Sequence, residues 1–287
     1  MTEDPVHTPR ISASSYSNTA PLVWSFLYGS QHGNVEIILD NAPARSAELL
    51  SQGRVDAALV PVIASQSIPN VKLIPGVCVG ARERVRSVCL VTRERDLQDV
   101  RSVSLDTSSR TSVVLTKLIF RVFLGFEPEW RPASPDIDAM LAESDAALLI
   151  GDPALALSKD EGERRKDESD DLDSSFILHP SSLQTFDLAE LWHHHTGLGF
   201  VFAMWMTTRE SCEIDFSAAR DEGLGHIAEI AANYAPQTGL SIGALTEYLS
   251  ENISYSIDDP MQRGLELYLD LAHRHNLTER KPELRLI

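Results

Sequence analysis

VRSVSLDTSSRTSVVLTKLIF, Val100 to Phe120, divides into three parts: an alternating strand, a polar turn and an apolar helix. The turn, Asp106 to Ser112, carries five hydroxyls and one guanidinium, more than a helix cap needs. The first N–H groups of a helix lack internal partners and its dipole is positive there, so such a turn suits a carboxylate or phosphate. Thr107, Ser108, Ser109, Arg110 and Thr111 are therefore candidate substrate-binding residues.

Working outward, the same succession occurs twice. SSYSNTAPL, Ser14 to Leu22, is a second hydroxyl-rich turn between the strand RISAS and a helix with Pro21 in its first turn. Each unit continues through a strand and a short helix to a final apolar strand, DAALVPV from Asp56 and DAALLIGD from Asp145. Strands alternating with helices predict an α/β protein of two similar lobes, with the ligand in the cleft between them. We expect lobe one over residues 10–93 plus 207–287, including a helical C-terminal tail, and lobe two over 94–206, with chain crossings near Arg93 and Thr207. Residues 1–9 read as a flexible tail and the charge run of 158–175 as a mobile acidic insertion.

Facing turns bring Ser14, Tyr16 and Asn18 towards the second polar turn. Arg86 and Ser87 lie near the expected crossing, and Gly151 and Asp152 close a buried strand at the sheet edge, so all four join the candidates. Asp152 reads equally as a helix cap before Pro153. His193, His194 and His195 are consecutive on a helix and point about 100° apart, which argues against a shared metal ion.

A formal charge of −17 opposes a nucleic-acid or anionic-membrane surface. Three widely spaced cysteines, no secretory pattern and no apolar stretch of membrane length lead to an expected cytoplasmic location. No Walker loop, GxGxxG, GxSxG or HExxH is present. Oligomeric state is not legible.

Five segments taken together, RISASSYSNTAPLVW, PARSAELLSQGRVDAALVPVI, IPGVCVGARERVRSVCLVTR, VRSVSLDTSSRTSV and DIDAMLAESDAALLIGDPAL, resemble the chorismate dehydratase family of the futalosine route to menaquinone. The resemblance implies the two-lobed fold of type II periplasmic binding proteins. It also implies dehydration of chorismate to 3-[(1-carboxyvinyl)oxy]benzoate without metal or organic cofactor. Carried over by motif, Asn18 is the expected catalytic residue, Ser108 to Thr111 the carboxylate binders, and Ser87 and Asp152 second choices. Ser12 stands where the family pattern has Gly, and Ser17 where it has a larger apolar residue. The alternatives are a cytoplasmic small-anion binding or sensing protein of the same fold, and the sister 1,4-dihydroxy-6-naphthoate synthase. The sister's first turn carries a Cys-Pro motif that SSYSNTAPL lacks.

Overall fold

The computed structural model describes residues 8–157, 183–279 and 284–287 of the chain. The expected tail and acidic insertion thus lie almost wholly outside the described residues. Two five-stranded sheets form the two lobes.

The first sheet contains β1 (Arg10–Ser14), β2 (Glu36–Asp40), β3 (Ala57–Pro61), β4 (Lys72–Ala81) and β10 (Phe200–Thr207), in the order β2-β1-β3-β10-β4. The second contains β5 (Val88–Arg93), β6 (Ser102–Asp106), β7 (Glu129–Ala133), β8 (Ala146–Ile150) and β9 (Leu183–Asp187), in the order β7-β6-β8-β5-β9. In each sheet four strands run in one direction, β1 to β4 or β6 to β9, and one antiparallel strand, β10 or β5, lies among them.

That antiparallel strand corrects the expected boundaries. β5 follows β4 in sequence yet pairs with β8 and β9, Cys89 opposite both Leu149 and Asp187. β10 returns to the first sheet, Met204 opposite Val60 and Cys78. The crossings accordingly fall at 82–87 and 197–199 and not near Arg93 and Thr207. The reason is physical: a strand buried on both faces reads as an apolar run whichever sheet it enters.

Helices α1 (Ala20–Leu27) and α2 (Pro43–Ser51) cover the first sheet, each with Pro at its start. In the second lobe α3 (Thr111–Leu118) runs into a π-helical turn, Ile119–Leu124, and α4 (Ile137–Glu143) is capped by Asp136. Helix α5 (Leu188–Thr196) is capped by Asp187, and a further helix begins at Gly151.

The tail adds α6 (Phe216–Leu224), α7 (Ile227–Thr238), α8 (Ile242–Glu247), the π-helical turn Tyr248–Asn252 and α9 (Asp259–Arg274). α6 packs closely on α1: a Cβ at Gly223 would overlap the Pro21 carbonyl. The apolar stripe Met261, Leu265, Tyr268, Leu269 and Ala272 turns α9 onto β10.

One core runs through both lobes, with a smaller cluster around Met140 and Leu149 under α4. Phe26 and Phe216 pack around Trp205, the latter stacked at 4.3 Å, while Trp192, Phe200 and Tyr268 meet edge to face. No disulfide joins Cys78, Cys89 or Cys212 to another cysteine. Among the described residues, no helix is long and apolar enough to cross a membrane.

Candidate active site

β1 and β6 occupy equivalent places in their sheets, and the polar turns follow both. Each turn therefore projects from strand C-termini into the space between the lobes, where α/β ligands bind. A cavity of about 60 Å³ lies there.

Its first-lobe wall includes Ser14, Tyr16, Asn18 and Thr19. The turn is built locally: Thr19 Oγ1 donates to the Ser14 carbonyl at 2.6 Å, closing the chain on itself, and Tyr234 from the tail donates to the Ser15 carbonyl at 3.0 Å. The second-lobe wall includes Ser109, Thr111 and Ser112 at the start of α3, with Gly151. Leu59, Val79, Val88, Ile150 and Phe202 make the rest largely apolar.

Thr111 also joins the lobes, its hydroxyl donating to the Phe202 carbonyl at 3.1 Å. Asn18, 8% exposed, donates from Nδ2 to Ser87 Oγ at 3.5 Å, and Ser87 is wholly buried. The Ser87 carbonyl accepts from the Gly151 N–H at 2.7 Å, so one crossing residue contacts both turns' surroundings.

Gly151 is required where it stands. Its φ of +66° is left-handed, and a Cβ would meet the Tyr16 ring at 2.8 Å. Burial is the main reason the Tyr16 phenol is held above its ordinary pKa; Asp106 and Asp152 add to it, and a hydrogen bond from Ser108 opposes it.

Of the expected site residues, Ser14, Tyr16, Asn18, Ser109, Thr111 and Gly151 line the cavity, and Ser87 stands behind Asn18. Thr107 is exposed and its N–H is spent on the Ala133 carbonyl. Ser108 donates its N–H and hydroxyl to Asp106 at 2.8 and 2.6 Å, an Asx turn that shapes the loop.

Arg110 turns away and pairs with Glu48 of α2 at 3.5 Å. The Arg86 guanidinium reaches Asn252 at 3.5 Å, on the tail side, while its N–H anchors to Asp187. Asp152 accepts from the Ser17 N–H at 3.1 and 3.2 Å and from the Ser17 hydroxyl. It bridges the lobes, and burial raises its pKa.

Sequence reasoning missed the apolar floor. Phe202 and Val88 lie on the strands assigned to the wrong lobes, so their position could not be inferred. It also missed Tyr248, read only as part of an amphipathic helix. Tyr248 is fully buried, and burial is the main reason its phenol is held well above its ordinary pKa, with Ser87 and Asn18 opposing the rise. His193 Nδ1 lies 3.3 Å from the Leu198 carbonyl and His195 stacks on Phe123, and neither lines the cavity. No cluster of potential metal ligands occurs among the described residues.

Two α/β lobes joined by two crossings, with an enclosed cleft of hydroxyls, an amide and apolar side chains, define a binding-protein-like fold with its ligand site between the lobes. Solved structures of this architecture include a protein from Archaeoglobus fulgidus (TM-score 0.66, 14% identity, covering 96% of this chain and 100% of that one). The periplasmic aliphatic sulphonate binding protein SsuA of Escherichia coli is another (TM-score 0.61, 15% identity, 97% and 93% covered).

In sequence, a family described as menaquinone biosynthesis matches residues 9–274. The chorismate dehydratase of Thermus thermophilus is 30% identical over 239 residues, 81% of this chain and 85% of that protein. The chain belongs to this menaquinone biosynthesis family.

Proposed function

We propose that the protein is a cytoplasmic lyase that dehydrates chorismate to 3-[(1-carboxyvinyl)oxy]benzoate in the futalosine route to menaquinone. The observation that carries this reading is the composition of the cavity wall: Asn18 from one polar turn faces Ser109, Thr111 and Ser112 from the other, with no His, Asp or Glu among the lining residues. That inventory suits an elimination in which positioning matters more than a strong protein base.

Chorismate loses a ring hydroxyl from one carbon and a proton from its neighbour. The elements of water leave and the ring becomes aromatic, which supplies much of the driving force. The enzyme's task is to hold two carboxylates, orient the departing hydroxyl and exclude solvent. The start of α3 supplies N–H groups and hydroxyls for one carboxylate, and Asn18 faces the reacting part of the ring. With Tyr16 the single ionisable residue on the wall among the described residues, and its pKa raised, we assign the proton acceptor to a carboxylate of the substrate. An analogue lacking the enolpyruvyl carboxylate should then fail to react, and normal turnover of it would remove that assignment.

The decisive experiment is incubation of the purified protein with chorismate and detection of an aromatic product lighter by one water. Tight chorismate binding without product would instead assign the chain to an anion-binding or sensing role. The apolar floor, the two polar turns and the Thermus relative's activity support the enzymatic reading over that one.

A further inference from the structure

Tyr268 lies on the apolar stripe of α9, and its ring packs edge to face with Trp192 and Phe200. Phenylalanine would meet those packing needs equally. The side chain is wholly buried, and its hydroxyl donates to the Thr111 carbonyl at 3.0 Å. A helix of the tail thus reaches the first residue of α3, on the cavity wall contributed by the other lobe.

The first lobe also holds Thr111 by its side chain: the hydroxyl donates to the Phe202 carbonyl at 3.1 Å and accepts from the Ile63 N–H at 3.5 Å. The carbonyl that Tyr268 grips belongs to the same peptide group as the Ser112 N–H. That N–H donates to Ser109 Oγ at 3.3 Å. A hydrogen bond to one end of a peptide group fixes its plane and polarises it, which strengthens the bond made at the other end.

A serine oxygen that accepts a hydrogen bond still has its own proton to give. Ser109 lines the cavity and is 8% exposed, and among the described residues no acceptor takes that proton. We infer that Tyr268 is a positioning residue of the site: through the Thr111–Ser112 peptide it holds Ser109 as a hydrogen-bond donor to the ligand. The group received there is an oxygen acceptor, and the positive end of α3 favours a carboxylate. Tyr268 does not line the cavity and touches no substrate. Chorismate as the probe rests on the dehydratase reading; the chain of hydrogen bonds does not.

The test measures chorismate binding and turnover in Tyr268→Phe, which keeps the ring and removes the hydroxyl. Holding a carboxylate contributes equally to the ground and transition states, so KM and the equilibrium Kd should each rise about fivefold while kcat stays within about twofold. A merely structural role would lower the active fraction, and with it kcat, and leave KM unmoved. Ser109→Ala should raise Kd about tenfold, and Tyr268→Phe added to it should bring less than a further twofold, because the donor it holds is gone.

An unchanged Kd in either single variant overturns the inference, and so do independent, multiplying losses in the double variant. A Tyr268→Phe protein that does not fold assigns the hydroxyl to stability and also overturns the positioning role. Wild-type protein that binds chorismate without turning it over overturns the dehydratase reading alone, and the Kd values still decide the role of Tyr268. Wild-type protein that does not bind it overturns both.

Discussion

Ser17 of the first lobe gives both its N–H and its hydroxyl to the Asp152 carboxylate of the second, directly beside the cavity. The Ser17 side chain supplies the hydroxyl half of this clasp and its backbone the N–H half. Asp152→Asn keeps the shape and removes the charge that strengthens these bonds. KM for chorismate should rise about tenfold, near 1.4 kcal/mol, with kcat changed much less. Steady-state kinetics on the variant check this, and an unchanged KM would show that the clasp does not contribute to closure.

Asn18→Ala should lower kcat at least about 100-fold, close to 2.7 kcal/mol of transition-state stabilisation. A loss under about threefold would move the reacting centre elsewhere on the wall.

Gly151→Ala places a methyl against the Tyr16 ring at a left-handed φ. We expect about 1–3 kcal/mol of lost stability, read as a lower urea midpoint. A raised KM should accompany it, because Tyr16 must leave the cavity wall to make room.

Asp187 accepts from the N–H groups of Val85, Arg86, Ala189 and Glu190, tying the first crossing to the start of α5. Asp187→Ala strands four donors, those of Val85 and Ala189 on buried residues, and should cost about 2–4 kcal/mol. Chemical denaturation measures it.

Burial raises the pKa of Asp106, whose Oδ2 has no aligned partner, above the ordinary carboxylate range. The folded protein therefore holds this proton more tightly than the unfolded chain does. The stability this contributes is complete below the unfolded value and is lost as pH rises through the folded one. Asp106→Asn removes that loss while leaving Oδ1 to Ser108. The melting temperature of the variant relative to wild type should increase from pH 4.5 to pH 8. A difference independent of pH would show that Asp106 does not titrate in that window.

Much of this architecture is legible in the sequence because local chemistry and global fold agree. Pro21 and Pro43 mark helix starts, the DAAL segments mark buried strands, and the polar turns mark strand-to-helix transitions that both end at the cleft. Pairing partners are less legible. β5 and β10 are apolar on both faces, so nothing in their spacing says which sheet receives them. The site divides along the same line. Asn18 and Ser109 sit in conspicuous turns, whereas Tyr268 lies on a helix whose other residues explain its presence as packing. Arg110 is conspicuous too, but its partner Glu48 comes from a distant helix that spacing cannot bring near.

The place of β10 between β3 and β4 also sets an order of assembly. All strands of the second sheet lie between Val88 and Asp187, while the first sheet needs residues 200–207 to join β4 to the other strands. During synthesis the later-encoded lobe is thus the first whose strands are all present, and β4 waits unpaired with β3 until well over a third of the chain has followed it. The first lobe carries the longer-range contacts and should be the slower to form. Interrupting translation after Asp187 should leave a complete second sheet beside an unfinished first one.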